Sequence, residues 1–167
     1  MEDAPVFLDD VDRAQFLAVL GEVVARFGWI CHAYCLLHNH YHLLIETPEG
    51  NLARGMRQLN GVYTQRFNRR HNSGGNLYQG RYKAVVLERE RYLLDMCRDV
   101  VVNPLRVKTV KNLLRYPWSS YRATAGMVVA PPWLHTSWVL SQFGRSSKVA
   151  QRKYAEFVAA GEKLPSP

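Results

Sequence analysis

Apolar residues recur at helical spacing early in the chain. Phe16, Val19, Leu20, Val23, Val24 and Phe27 fall three or four apart, the period of one face of an α-helix. Asp9-Asp10-Val11-Asp12 offers N-cap chemistry ahead of them, and Gly28 offers a stop behind them. From Trp29 the rhythm shortens, and Ile30 to Leu37 and His40 to Thr47 read as two strands or one long bent hairpin, ended by Pro48-Glu49-Gly50. Leu52, Met56, Leu59, Val62, Tyr63 and Phe67 then restore the helical period. The opposite side of that second helix carries Arg54, Arg57, Gln58, Gln65, Arg66, Arg69 and Arg70, a basic outer face. Asn72-Ser73-Gly74-Gly75-Asn76 reads as a loop, and Leu77 to Leu87 as a strand in which Arg81 and Lys83 interleave with Tyr78, Tyr82 and Val85. A third helix is predicted from Glu88 to Val102, stopped by Asn103-Pro104 because proline cannot donate the backbone bond that a helix needs. Tyr116-Pro117-Trp118-Ser119-Ser120-Tyr121 and Pro131-Pro132-Trp133 are turn-rich, and Trp138 to Ala160 predicts one or two further helices.

Composition narrows the partners. The chain has 167 residues, 47% of them hydrophobic, which suits one folded domain with a real core. Lys and Arg outnumber Asp and Glu by 22 to 14, for a net charge of +8 and a pI near 9.6. That balance favours a polyanion, nucleic acid first and an anionic membrane surface second. No stretch approaches the roughly 20 apolar residues of a membrane span, and Met1 to Asp12 is acidic and unlike a signal peptide. A cytoplasmic protein with no membrane partner is the expectation. Cys31, Cys35 and Cys97 are odd in number and form no metal-type pair, so reduced, buried thiols are expected. Trp118, Trp133, Trp138 and Tyr92 read as core residues.

The chemistry concentrates in Leu37-His38-Asn39-His40-Tyr41-His42-Leu43-Leu44-Ile45-Glu46. Strand residues two apart share a face about 6.6 Å apart at the backbone, so His40 and His42 can converge on one ion with bonds of about 2.1 Å. Tyr41 faces the other way, while His38 and Glu46 share the histidine face as ligands or supporting partners. The alternative is a row of stacked surface histidines.

His-Tyr-His followed by Leu-Leu-Ile-Glu-Thr-Pro resembles the HUH motif (histidine, hydrophobe, histidine) of the single-tyrosine, IS200-like transposases, especially the REP-associated tyrosine transposases. Further stretches agree in the same order: residues 54–71, Leu77-Tyr-Gln-Gly-Arg-Tyr-Lys83, Asn103-Pro-Leu-Arg106 and Tyr116-Pro-Trp-Ser-Ser-Tyr-Arg122. The resemblance spans most of residues 6–160. It implies an α+β domain over residues 1–125, with a ferredoxin-like antiparallel sheet and helices on one face, followed by a C-terminal helical extension over residues 126–167. It also implies metal-dependent nicking and rejoining of single-stranded DNA beside imperfect hairpins, the chemistry of DNA transposition and recombination. In such a reaction a Mg²⁺ or Mn²⁺ ion polarises the scissile phosphate, a tyrosine attacks it, and a covalent phosphotyrosine conserves the bond energy.

His40, His42 and Asn103 match the family's metal positions. The nucleophile departs from the pattern: Arg98-Asp99-Val100-Val101-Val102-Asn103-Pro104 places Asp99 where the tyrosine is expected. Asp99 and Asn103 are four apart on one helical face, so Asp99 is also a candidate oxygen ligand. The family's first strand has no counterpart before residue 9, which predicts an unpaired sheet edge that invites pairing with another chain, a homodimer included. Arg54, Arg57, Arg66, Arg69, Arg70, Arg81 and Lys83 are the expected phosphate contacts, with Tyr78 and Tyr82 available to stack on unpaired bases. Three functions follow: a DNA strand-transferase, a derivative that binds hairpin DNA without cutting it, and an unrelated hydrolase using His40, His42 and Asp99.

Overall fold

The computed structural model describes residues 4–78 and 81–164, the side chains of residues 89–91 excepted. It is α+β, with an antiparallel two-stranded sheet and six α-helices among the described residues. In chain order these are α1 (Asp10–Phe27), β1 (Ile30–Leu36), β2 (Tyr41–Glu46), α2 (Leu52–His71), α3 (Arg89–Arg106), α4 (Tyr121–Thr124), α5 (Ser137–Ser141) and α6 (Ser147–Gly161). A 3-10 turn at Leu113–Arg115 lies between α3 and α4. The chain divides into two units, one made of Met1–Ile30, Leu37–His40 and Glu46–Val85, the other of Cys31–Leu36, Tyr41–Ile45 and Val86–Pro167. Residues 126–167 fall within the second unit.

In the first unit α1 packs along α2. Asp9 caps α1 by accepting a hydrogen bond from the Asp12 amide, and Gly28 closes it at φ +64°, a left-handed conformation that favours glycine. The apolar stripe read from the sequence is the buried one: Phe16, Val19, Leu20, Val23, Val24 and Phe27 on α1, and Met56, Leu59, Tyr63 and Phe67 on α2. Phe16 and Tyr63 meet edge to face at 5.3 Å, and Phe7 closes the cluster 5.4 Å from Phe16. The Tyr63 hydroxyl donates to the Val6 carbonyl at 2.6 Å, so a phenol buried among rings keeps a polar partner. Val6 and Phe7 also donate their backbone amides to the His38 carbonyl at 3.2 and 3.4 Å. Trp29 lies flat on α2, where a Cβ on Gly55 would fall 2.0 Å from its ring.

In the second unit β1 carries buried residues along its length, including Cys31, His32, Ala33, Tyr34, Cys35 and Leu36. The unpaired edge expected from the sequence is not found on β1. Leu36 donates to the Trp118 carbonyl at 2.8 Å, Ser120 to the Tyr34 carbonyl at 3.0 Å and His135 to the Cys31 carbonyl at 2.8 Å. The turn-rich Tyr-Pro-Trp-Ser-Ser-Tyr and Pro-Pro-Trp segments thus satisfy the groups that a neighbouring strand would have taken. Trp133 stacks on Tyr34 at 5.5 Å and Trp138 meets His32 at 5.9 Å. Both indoles, like Trp118, are half-buried, so they cover the hairpin and are not enclosed by it. Farther along, α3 packs on α6. Arg98 lies over the Phe157 ring at 4.1 Å, and a Cβ on Gly161 would come within 2.2 Å of the Arg98 side chain.

Two predicted elements change. The stretch Leu77 to Leu87 forms no strand at residues 77–78 and 81–87, and residues 79–80 lie outside the described residues. Its alternation has no core to face: Arg81 to Val86 are all exposed, Val85 at 82% and Val86 at 97%, and an apolar face without a covering layer does not hold a strand. The third helix does not stop at Asn103-Pro104 but runs to Arg106 with Pro104 inside it. Pro104 removes one donor, from the bond that would reach Val100. The Asn103 side-chain amide donates to the Val100 carbonyl at 3.3 Å and the Asp99 carbonyl at 3.2 Å, which supplies that carbonyl from the neighbouring residue.

Candidate nucleic-acid interface and metal site

His42 is the second residue of β2, and His40 immediately precedes the strand. His40 is exposed and His42 half-buried. The turn that carries His40 is fixed by the Leu37 amide donating to the His40 carbonyl at 2.8 Å. Its imidazole Nδ1 lies 2.6 Å from the Asn39 carboxamide oxygen, and an Nδ1–H donated there puts the ring's lone pair on Nε2. That is the supporting contact a metal-binding imidazole uses to set its tautomer and ring orientation. Among the described residues no three His, Cys, Asp or Glu side chains gather into a metal-holding group.

Asp99 and Asn103 do share a face of α3, but both turn back on their own helix. The Asp99 carboxylate is ion-paired with the Arg106 guanidinium, two turns along, and the Asp99 side chain is only 13% exposed. Asn103 uses its amide nitrogen on the two backbone carbonyls described above. Tyr92, expected in the core, is 42% exposed. The buried stripe of α3 passes through Leu93, Cys97, Val100 and Val101, and Tyr92 sits about 100° around the helix from Leu93.

Other hydroxyls and thiols are shielded from use. Tyr34, Tyr63, Tyr116, Tyr121 and Tyr154 are buried. Desolvation pushes the Tyr34 phenol up to about 12 and raises those of Tyr63 and Tyr154 further. All three cysteines are buried and free of disulfides, and burial pushes each thiol up to about 12. A protonated buried thiol is a poor nucleophile and metal ligand.

The basic set separates into groups. Arg54, Arg57, Arg69, Arg81 and Lys83 are exposed. Arg54 lies over the Phe27 ring at 5.8 Å, and Arg66 pairs with Glu22 at 3.5 Å. Arg70, counted with the phosphate contacts from sequence, is held internally: it reaches Asp9 at 2.6 Å and Asp12 at 2.8 Å. Asp12 is fully buried and also accepts from the Leu8 amide at 2.9 Å, with His71 Nε2 at the same distance. This cluster ties the start of α1 to the end of α2. Sequence reading took Asp12 for a capping residue only; the i, i+1 pair Arg70-His71 closing an amphipathic helix was the available signal.

The outer face of α2 and residues 75–78 and 81–84 enclose an open cleft of about 930 Å³. Arg57, Asn60, Gly61, Thr64, Gln65 and Asn68 line it from the helix, and Tyr78, Arg81 and Tyr82 from the segment. Asn60, Gly61, Thr64 and Asn68 were not singled out from sequence, although Arg57, Gly61, Thr64 and Asn68 recur at three- and four-residue spacing opposite the buried stripe.

A family model described as "Transposase IS200 like" matches residues 3–98, more than half of the chain. The chain belongs to the IS200-like transposase family. DNA is the partner this family implies, and its members are generally metal-dependent. The matched residues include His40, His42, α2 and the cleft, and they end one position before Asp99. No curated protein and no solved structure matches the chain significantly. No helix among the described residues is long and apolar enough to cross a membrane.

Proposed function

We propose that this transposase-family chain binds single-stranded hairpin DNA and does not cleave it through residue 99. The observation that carries this reading is the Asp99–Arg106 ion pair. A carboxylate is a weak nucleophile toward a phosphodiester, and this one is neutralised by a guanidinium on its own helix. The exposed arginines Arg54, Arg57, Arg69 and Arg81 with Lys83 supply phosphate contacts, which are sequence-independent and salt-sensitive. Arg66 joins them at the price of its pairing with Glu22.

His40 and His42 would hold a Mg²⁺ or Mn²⁺ ion, with Asn103 the remaining family position. Such an ion, when bound, supplies Lewis-acid polarisation of a phosphate oxygen. His40 keeps its ring oriented through Asn39, whatever the fate of the phosphate. The retention of these histidines beside a lost tyrosine fits a protein that still places a strand at the old site.

The test uses purified protein, Mn²⁺ and end-labelled imperfect hairpins with single-stranded flanks, selected from a randomised pool. Retention on a native gel with no covalent adduct on a denaturing gel is the expected result, and an adduct with the wild type would overturn it. Asp99→Tyr is expected to form an adduct that His40→Ala then abolishes. A second reading keeps cleavage in the wild type with Tyr92 as nucleophile, favoured by its 42% exposure on the same helix as Asp99. An adduct lost in Tyr92→Phe would select that reading.

A further inference from the structure

The two glycines in the body of α2 have opposite surroundings. Gly55 is explained by packing, because a Cβ would strike the Trp29 ring at 2.0 Å. At Gly61 a Cβ would meet nothing within 4 Å. Glycine weakens a helix relative to alanine, so Gly61 lowers the stability of α2 with no contact among the described residues that requires it. Gly61 lines the cleft between α2 and residues 75–78 and 81–84. A bare backbone at a cleft wall is what close approach by a ligand needs.

The cleft has the chemistry of a nucleotide site. Its lining holds Arg57 and Arg81 and no carboxylate, so its charge suits a phosphate on either side. Tyr78 and Tyr82 offer aromatic faces, and Tyr82 is 37% exposed. Thr64, Gln65 and Asn76 bring side chains that both donate and accept, the combination that a base edge requires. Asn68 is occupied: its amide donates to the Gly75 carbonyl at 2.9 Å and its oxygen accepts from Ser73 at 2.9 Å. Those two bonds tie Ser73 and Gly75 to α2. The volume of about 930 Å³ lies within the range of small-molecule sites.

We propose that this cleft receives an unpaired nucleobase of a bound strand, over the bare backbone of Gly61 and stacked against Tyr82, with Arg57 and Arg81 on the flanking phosphates. The inference rests on the single-strand reading above and adds a base-dependent contribution to it. Phosphate contacts alone treat an abasic strand and an ordinary strand alike; a base cleft does not.

The experiment measures anisotropy of two labelled 12-nucleotide strands of equal charge, one of mixed sequence and one built of abasic units. Stacking of one base is expected to make the mixed strand bind about 5- to 150-fold tighter. Gly61→Leu fills the cleft with a better helix former and is expected to abolish that preference while leaving the abasic strand bound as before. Tyr82→Ala is expected to reduce the preference, and Tyr82→Phe to keep it. Equal binding of the two strands by the wild type, or an undiminished preference in Gly61→Leu, would overturn the cleft and leave phosphate-driven binding standing. Failure to bind either strand at low salt would overturn both this inference and the DNA-binding reading. Competition by a free mononucleotide as strong as by the strand would mean that the cleft takes a nucleotide and not a strand, and would overturn the proposal.

Discussion

Helices α2 and α3 are similar in length, 20 and 18 residues, and both carry stretches that resemble the transposase pattern. They use their polar residues in opposite ways. On α2 the polar face looks outward: Arg57, Asn60, Thr64 and Gln65 line an open cleft, while Arg66 pairs with Glu22 and the last turn is tied to α1 through Arg70 and His71. On α3 the polar motif is folded back: Asp99 pairs with Arg106, and Asn103 bonds the helix's own carbonyls. On the function proposed above, binding and cutting are separable, since the exposed arginines sit on α2 and the position of the family's nucleophile on α3.

The largest expected effect removes the platform on which α2 stands. Asp12 is fully buried and accepts from Arg70, His71 and the Leu8 amide. Asp12→Ala leaves two basic side chains and an amide without their shared acceptor, at a cost of about 3 kcal/mol. Urea denaturation should show the loss as a lower midpoint with unchanged slope. If the midpoint stays, the α1–α2 unit does not depend on the cluster. Next comes Gly55→Ala. Overpacking against Trp29 outweighs the gain in helix propensity for a net loss of about 1–2 kcal/mol, whereas Gly61→Ala should gain up to about 1 kcal/mol. Equal effects at the two glycines would remove the distinction drawn between them.

What the sequence disclosed follows from how local the cause is. The α1 cap at Asp9, the stop at Gly28, the buried stripes and the β-hairpin all depend on residues within a few positions of one another, so periodicity finds them. The Leu77–Leu87 stretch alternates as well as a strand should, but strand formation needs a distant partner that alternation does not encode. The reverse holds for the edge of β1. Its partners are Trp118, Ser120 and Leu134-His135, in segments whose prolines read only as turns. At the candidate site strand period pairs His40 with His42 in the sequence, while the structure has His42 in β2 and His40 in the turn just before it. The destination of Arg70 was not, because a basic residue on a polar face looks the same whether it meets solvent or a buried carboxylate 58 positions away.

A smaller effect tests the closed state of α3. Asn103 matches a family metal position, yet its amide donates to the carbonyl that Pro104 leaves without a donor. If that bond matters, Asn103→Ala costs about 1 kcal/mol by exposing an unsatisfied acceptor in the helix, and Asn103→Ala with Pro104→Ala recovers it, since an alanine amide restores the bond. Absence of such coupling in a double-mutant cycle would free Asn103 from its structural role and return it to the metal site.

The smallest effect concerns pH and separates the two ion pairs. The hydrogen bond from Arg70, with the Asp12 amide as a second donor, lowers the Asp9 carboxyl to about 2 from the usual 3.8. The folded state therefore holds the ionised form more strongly than the unfolded chain does, so the contribution is complete above about pH 4. It is lost as pH falls from there to about 2, because the unfolded chain takes up its proton first. Asp9→Asn should flatten that part of the stability profile, measured by urea titrations at intervals across it, while Asp99→Asn leaves the slope assigned to Asp9 in place. Since Asp9 binds Arg70 at the end of α2, acid should loosen the first unit's α1–α2 junction by this route. An Asp9→Asn profile that still follows the wild type from pH 4 to 2 would assign the acid sensitivity to other carboxylates and remove Arg70 from its place as the clasp of α2.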